Sequence, residues 1–172
     1  MIKPTAQLKK AGKVLSNSAT NAIEKERVLD LVRRMEGGHD KVYIGVPVGA
    51  APEENGTPMA VVAAAHEFGA PSRGIPERSF LRVSLTMNAE KYVNFNRALM
   101  PRIINGQIGF EQALGLLGEM AKGDVQRFIA TNTYQLKPAT IKRKGSSKAL
   151  IDTGNMRQSI TWVLDPNDKA SA

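Results

Sequence analysis

Residues 59–82 constrain this chain more than any other stretch. They read Met-Ala-Val-Val-Ala-Ala-Ala-His-Glu-Phe-Gly-Ala-Pro-Ser-Arg-Gly-Ile-Pro-Glu-Arg-Ser-Phe-Leu-Arg. Met59, Val62, Ala63 and Phe68 lie at spacings close to one helical face, and Ala60, Ala64 and Ala65 keep the other faces slim enough for a second backbone to come close. Gly69 stands where a left-handed C-cap stops a helix, and Pro71 bars its return. A loop with Gly74 and Pro76 follows, and Ser79 reads as the N-cap of a second helix. The expectation is a helix, a stiff loop and a helix, with Glu67, Arg73, Glu77, Arg78 and Arg82 in or beside the loop. So much charge on an ordered loop points to a contact surface rather than a reaction centre.

The remaining chain supplies helices on both sides and two candidate strands. Residues 20–36 read as a helix capped by Thr20 or Asn21, with an apolar stripe of Val28, Leu31, Val32 and Met35, ended by Gly37-Gly38. Residues 41–48, Lys-Val-Tyr-Ile-Gly-Val-Pro-Val, read as a strand with Pro47 at its exit. Residues 49–58 form an exposed loop or hairpin tip. A helical stretch runs from Ser79 to about 104, with Asn88 and Pro101 as its break or kink points, and Asn105-Gly106 is a turn. Residues 109–131 carry the clearest helix, apolar along Phe110, Ala113, Leu114, Leu117, Met120, Ala121, Val125 and Phe128. Gly115 and Gly118 suggest a close helix crossing there, and Gly123 a weak point. Pro138 opens a short helix, and Gly145-Ser146-Ser147 is a flexible joint. Asp152 or Thr153 caps a single turn ending near Gln158, and Ile160–Leu164 is a strand by composition.

These elements give an α+β fold: a small sheet packed with several helices, an extended basic N-terminal arm and a flexible basic loop. The division is an arm and helix over 1–40, a domain over 41–164 and a tail over 165–172. The two strands lie far apart in sequence, so the sheet is open to further strands from this chain or from a neighbouring subunit.

Charge narrows the partners. The chain of 172 residues carries a net charge of +8, which favours an acidic partner, either nucleic acid or an acidic protein surface. Aromatic residues are only 5%, so the core must be mainly aliphatic. Cysteine is absent, which removes disulfides, thiolate metal sites and cysteine nucleophiles. Lys3, Lys9, Lys10 and Lys13 have no apolar run behind them, so no signal peptide is expected. No apolar run reaches the roughly 18 residues of a membrane span. The expectation is a protein soluble and intracellular when made, with no membrane partner.

Catalytic patterns are sparse. His66-Glu67 is half of a zinc-protease helix motif, but Ala70 stands where the second histidine belongs, and the other histidine is His39. Asp152, Thr153 and Ser159 lack a base partner in a recognisable nucleophile setting. No phosphate-cradling glycine pattern follows a strand. The reading is no enzyme, no metal and no cofactor. Loop 137–148, with Lys137, Lys142, Arg143, Lys144 and Lys148, is the best place for DNA or an acidic partner to bind, because phosphates need only charge and reach. Only Tyr134 and Trp162 lie near it for base stacking.

Four pieces of the chain resemble a tailed-bacteriophage family, the virion morphogenesis or neck and tail-completion proteins. Val42–Pro47 looks like the family's opening strand. His66-Glu67-Phe68-Gly69 followed by Ile75-Pro76-Glu77-Arg78-Ser79-Phe80-Leu81-Arg82 looks like its central signature. Ala113-Leu114 through Gly118 is similar to its long helix. Leu136 to Lys144, then Leu150-Ile151-Asp152-Thr153-Gly154 and Ser159-Ile160, looks like its ending. The likeness spans about residues 41–164 and leaves the first 40 unmatched.

The resemblance implies a non-enzymatic structural protein of the virion. Such a protein joins or completes the head–tail neck, or collar, at the top of the tail as part of a homo-oligomeric ring. It would reside in the virion, and in the host cytoplasm during assembly. Its partners would be other neck and tail proteins and the DNA that passes through. His66, Glu67, Phe68, Gly69, Arg73, Pro76, Arg78, Phe80, Leu81, Arg82, Asp152, Thr153 and Gly154 then map as structural and interface positions. Phe68, Ile75, Phe80, Leu81 and Ile151 are expected to anchor the loop and the final turn on the core. Glu67, Arg73, Arg78, Arg82 and Asp152 are expected to form ion pairs within or between subunits. The alternative is a basic nucleic-acid-binding module acting through loop 137–148. A hydrolase built on His66 or Asp152 is the third reading.

Overall fold

The computed structural model of the chain describes residues 19–37, 41–136, 138–144, 150 and 154–164. In chain order its elements are α1 (Ala19–Gly37), β1 (Val42–Gly45), α2 (Met59–Phe68), a 3-10 turn (Pro71–Arg73), α3 (Leu81–Met87), α4 (Ala89–Ile104), α5 (Phe110–Thr131), α6 (Pro138–Lys144), α7 (Asn155–Gln158) and β2 (Thr161–Leu164). The fold is α+β, with β1 and β2 forming one antiparallel two-stranded sheet.

Helix α5 is the element on which the others pack: α3 and α4, both strands, and α7 all lie against it. Its length follows from an apolar face sustained over 22 residues, with Ala113, Ala121, Val125 and Ile129 buried along it. The register of the sheet pairs Val42 with Leu164, Tyr43 with Val163, Ile44 with Trp162, and Gly45 with Thr161. Trp162 lays its indole over Gly115 and Gly118 of α5. The close approach expected at those glycines therefore seats a strand's tryptophan rather than another helix. At Gly118 only a residue without a side chain leaves room for the ring, and at Gly115 an added Cβ would be tight against it.

The main core joins α2, α5, α7 and the approach to β2 through Met59, Ala63, Phe80, Val125, Ile129, Leu150, Met156 and Ile160. Phe80 is fully buried, and such a side chain contributes about 1.5–3 kcal/mol by burial. A smaller cluster of Leu99, Ile108 and Ala113 sits where α4 turns into α5. There the Asn105-Gly106 turn forms as expected, with Gly106 N–H donating to Ile103 O at 2.9 Å. Helix α1 packs on α4, buries Leu31 and half-buries Val28 and Val32. Its Arg34 guanidinium lies 6.0 Å from the Phe110 ring centroid.

Several local expectations need correction. Helix α1 runs back to Ala19, so Thr20 and Asn21 lie inside it rather than capping it. The loop after β1 is no hairpin tip, because β1 pairs with β2 and residues 53–57 close their own turn through Glu53, Asn55 and Thr57. One expectation here holds: the stretch from Ser79 to 104 breaks at Asn88, whose backbone N–H and side-chain Nδ2 both donate to Ser84 O; the other expected break point, Pro101, does not interrupt it. Helix α4 runs through Pro101 to Ile104. The single turn α7 is preceded by Gly154 at φ 87°, while Asp152 and Thr153 lie outside the described residues. So do Ile151, the arm 1–18, His39, the joint at 145–147 and the tail 165–172.

Candidate functional site

Helix α2 buries Met59, Ala63 and Glu67, a stripe with a residue every four positions. A carboxylate in such a stripe must find hydrogen-bond donors or carry a large desolvation cost. The start of α3 supplies them. Glu67 Oε2 accepts the Leu81 N–H at 2.9 Å, and Oε1 accepts the Arg82 N–H at 3.1 Å and the Ser79 hydroxyl at 2.5 Å. These amides belong to the first turn of α3, where the helix itself offers no acceptor. Negative charge is also favoured at that end of a helix. Glu67 thus caps a helix that begins fourteen residues after it.

This geometry overturns two expectations. Ser79 does not cap α3; the cap position is Phe80, with no side-chain bond of its own, and Ser79 points its hydroxyl at Glu67. Glu67 does not pair with a loop arginine either. The ion pair in this region joins Arg82 to Glu77, and both side chains are more than half exposed. Such a surface pair is worth about 0–1 kcal/mol.

Putting Glu67 inside puts Phe68 outside. Neighbouring residues on a helix point about 100° apart, and Phe68 is 71% exposed. The expected anchoring of Phe68 in the core is therefore wrong. Val61 is 53% exposed, and with the exposed Ala64 and Phe68 it forms an apolar stripe on the outer face of α2. The other expected anchors fare differently: Phe80 is buried, and Leu81 and Ile75 are half-buried.

The loop between α2 and α3 is pinned by backbone. The left-handed helical cap expected at Gly69 does not form; Gly69 sits instead at φ 78° and ψ 162°, a region essentially reserved for glycine. A Cβ there would lie 2.9 Å from Glu77 N. Ala70 and Ile75 form an antiparallel bridge across the Pro71–Arg73 turn, with Ala70 N–H donating to Ile75 O at 2.8 Å. Arg78 N–H donates to His66 O at 2.8 Å, and Arg78 Nη2 reaches Gln135 O at 3.4 Å. Tyr134 closes the far side, its hydroxyl donating to Ser79 O at 3.2 Å and its ring edge-on to Phe128. Burial, and then the nearby Glu67 carboxylate, hold its phenol above the usual range. Arg73, Pro76 and Glu77 stay exposed at the loop's surface.

Beside this loop an open cavity of about 620 Å³ is lined by His66, Arg73, Arg78, Gln135 and Thr140, with Leu150 at its apolar side. His66 is half-buried in the last turn of α2. Among the described residues no three of His, Cys, Asp or Glu gather as a metal site. Of the basic loop, Lys142 is exposed on α6; the side chains of Arg143 and Lys144 are not described, and Lys137 and Lys148 lie outside the described residues. Tyr134 and Trp162, the aromatics considered for base stacking, pack against Phe128 and α5. Among the described residues no helix is long and apolar enough to cross a membrane.

A second buried carboxylate has no counterpart in the sequence reading. Asp124 of α5 accepts Lys91 Nζ at 2.7 and 2.6 Å and Arg127 Nη1 at 2.9 Å, tying α4 to α5. Burial first, and the Asp124 charge second, push the Tyr92 phenol well above its usual range. The spacing of Asp124 to Arg127 within an apolar face was the available signal. For Glu67 it was the recurrence of Met59, Ala63 and Glu67 at every fourth position.

No family model, curated protein or solved structure matches the chain.

Proposed function

We propose that this chain is a structural protein of a tailed-phage virion, joining or completing the head–tail neck at the top of the tail as part of a homo-oligomeric ring. We assign it no catalytic role. The reading starts from the resemblance carried by residues 61–82 and 136–163, and one observation supports it. The stretch 66–82 is a braced unit in which Glu67 ties α2 to α3, while Val61, Phe68, Arg73 and Glu77 remain on the outside. A rigid loop that presents charge next to an apolar helix stripe suits repeated subunit contacts. In a ring each contact recurs at every subunit, so modest heterologous interfaces suffice once it closes. The net charge of +8 suits DNA in a lumen or an acidic tail surface.

The test is the mass of the purified protein by light scattering at low and high salt, with electron microscopy of the same sample. A closed oligomer that survives high salt is expected, and Phe68→Glu should dissociate it with the helix content unchanged. A monomer at both salt concentrations, up to the solubility limit, overturns the ring.

A further inference from the structure

Helix α1 turns an ordered stripe to the outside. Ala22, Glu26, Leu29 and Arg33 recur at i, i+4, i+7 and i+11, so they share one face, and all four are exposed. Leu31, which α1 buries, points about 200° away from Leu29 around the helix. Leu29 is 45% exposed in the middle of the stripe, with a carboxylate about one turn before it and a guanidinium about one turn after. The ion pair on α1 joins Asp30 to Arg34; Glu26 and Arg33 form none among the described residues. The cavity beside the loop carries the complementary set. Its lining holds Arg73 and Arg78 from the loop, Glu53 and Glu54 from the segment before α2, and the aliphatic Val62, Ile75 and Leu136. Arg78 Nη2 makes one long hydrogen bond to Gln135 O, and none of the four charged side chains forms an ion pair among the described residues. A guanidinium withdrawn from water is ordinarily paired, and Arg78 is half-buried.

We propose that α1 of one copy lies across the mouth of this cavity in the next copy. Glu26 then meets Arg73 and Arg78, Arg33 meets Glu53 and Glu54, and Leu29 covers the aliphatic lining. This contact rests on the ring reading above and names two surfaces that meet in the ring. Charge selects the occupant. A nucleic acid would meet the two glutamates, and a uniformly acidic or basic peptide would match only one of the two pairs. A stripe that reads acid, leucine, base matches both. From Glu26 to Arg33 it runs about 10 Å along the helix, the scale of a cavity of about 620 Å³. Helix α1 rests on α4, whereas the cavity is built from α2, the loop after it and α6. Two different patches that meet make a head-to-tail contact, and such contacts close into a ring where the rotation allows.

Charge reversal in the full-length chain tests the contact. Glu26→Arg and Arg73→Glu both fall at exposed positions. Each should weaken self-association about tenfold or more by setting like charges together, with helix content unchanged. The double variant should return to the sedimentation behaviour of the natural chain. Single reversals that change nothing overturn the contact, and so does a double variant no better than either single one. Carbodiimide cross-linking tells copies apart, because it joins a carboxylate only to an amine in contact with it. In Arg73→Lys protein assembled from labelled and unlabelled chains, a cross-link from Glu26 to the introduced lysine should join the two isotopes. A cross-link confined to single chains puts α1 over its own cavity and overturns the contact between copies. Poly-glutamate that binds the intact oligomer through Arg73 shows the cavity open to another acidic partner, and overturns it too. The two readings fail separately. A ring indifferent to the reversals removes this contact alone, mixed cross-links on chains that never close remove the ring alone, and a monomer without mixed cross-links removes both.

Discussion

Gly118 of α5 lies so close beneath Trp162 that a Cβ added to the glycine would sit 2.5 Å from the indole Cδ2. That atom is at the root of the ring, not at a flexible tip, so the strand itself would have to move. Gly118→Ala gains about 1 kcal/mol of helix propensity but incurs about 1–3 kcal/mol of overpacking, and overpacking wins. Gly123 is the control, since nothing lies within 4 Å of its added Cβ. Gly123→Ala should raise stability by about 1 kcal/mol. Urea unfolding of both variants should move the midpoints in opposite directions.

Removing the Glu67 carboxylate leaves the Leu81 and Arg82 amides and the Ser79 hydroxyl without their acceptor in a buried place. Glu67→Ala should cost about 2–4 kcal/mol, and Ser79→Ala about 1 kcal/mol, because the hydroxyl is one donor of several. Hydrogen exchange should quicken at Leu81 and Arg82 in Glu67→Ala. Unchanged protection there would exclude the cap.

Asp124 is 3% exposed at its side chain, whereas Lys91 and Arg127 are 44% and 70% exposed. Solvent screens both cations, which lowers the cost of losing either. Asp124→Asn should destabilise by about 1–3 kcal/mol, since it strips the charge that both cations share. Lys91→Met should cost less, because Arg127 still covers the carboxylate. Equal losses in the two variants would contradict this ranking.

Trp162 Nε1 donates to Glu119 Oε1 at 2.7 Å, and Lys122 Nζ lies 2.6 Å from Glu119 Oε2. The Lys122 ammonium, and then the indole N–H, hold the Glu119 carboxyl below its ordinary value. A depressed carboxyl stabilises the fold above its unfolded pKa and stops doing so as pH falls through the folded one. Trp162 fluorescence should therefore titrate with a midpoint below that of an ordinary glutamate. Glu119→Gln should abolish that step, and a midpoint at or above the ordinary value would refute the contact.

Long-period patterns were legible in the sequence, and single contacts across the chain were not. Helix α5 spans Phe110–Thr131, within a residue of the expected 109–131, and β1 and β2 stand where β-branched and aromatic residues cluster. Pro138 opens α6 as its fixed φ favours. The role of Glu67 stayed hidden because its acceptor atoms serve backbone amides, which every residue carries. Phe68 misled because hydrophobicity says what prefers burial, not which residue wins when a neighbour is held inward by three hydrogen bonds. Gly115 and Gly118 announced a close approach without naming the visitor.

The pairing of Val42 with Leu164 also has a meaning in time. Translation delivers β1 first, then every helix from α2 to α7, and only afterwards the strand that covers its flank. Until the ribosome reaches Trp162, the glycine track on α5 has no lid and β1 has no partner. The nascent chain therefore carries its stickiest edge through most of its own synthesis. Pauses in translation between Thr131 and Thr161 should lengthen that exposure and lower the yield of folded protein, by the same physics that makes distant strand pairing slow.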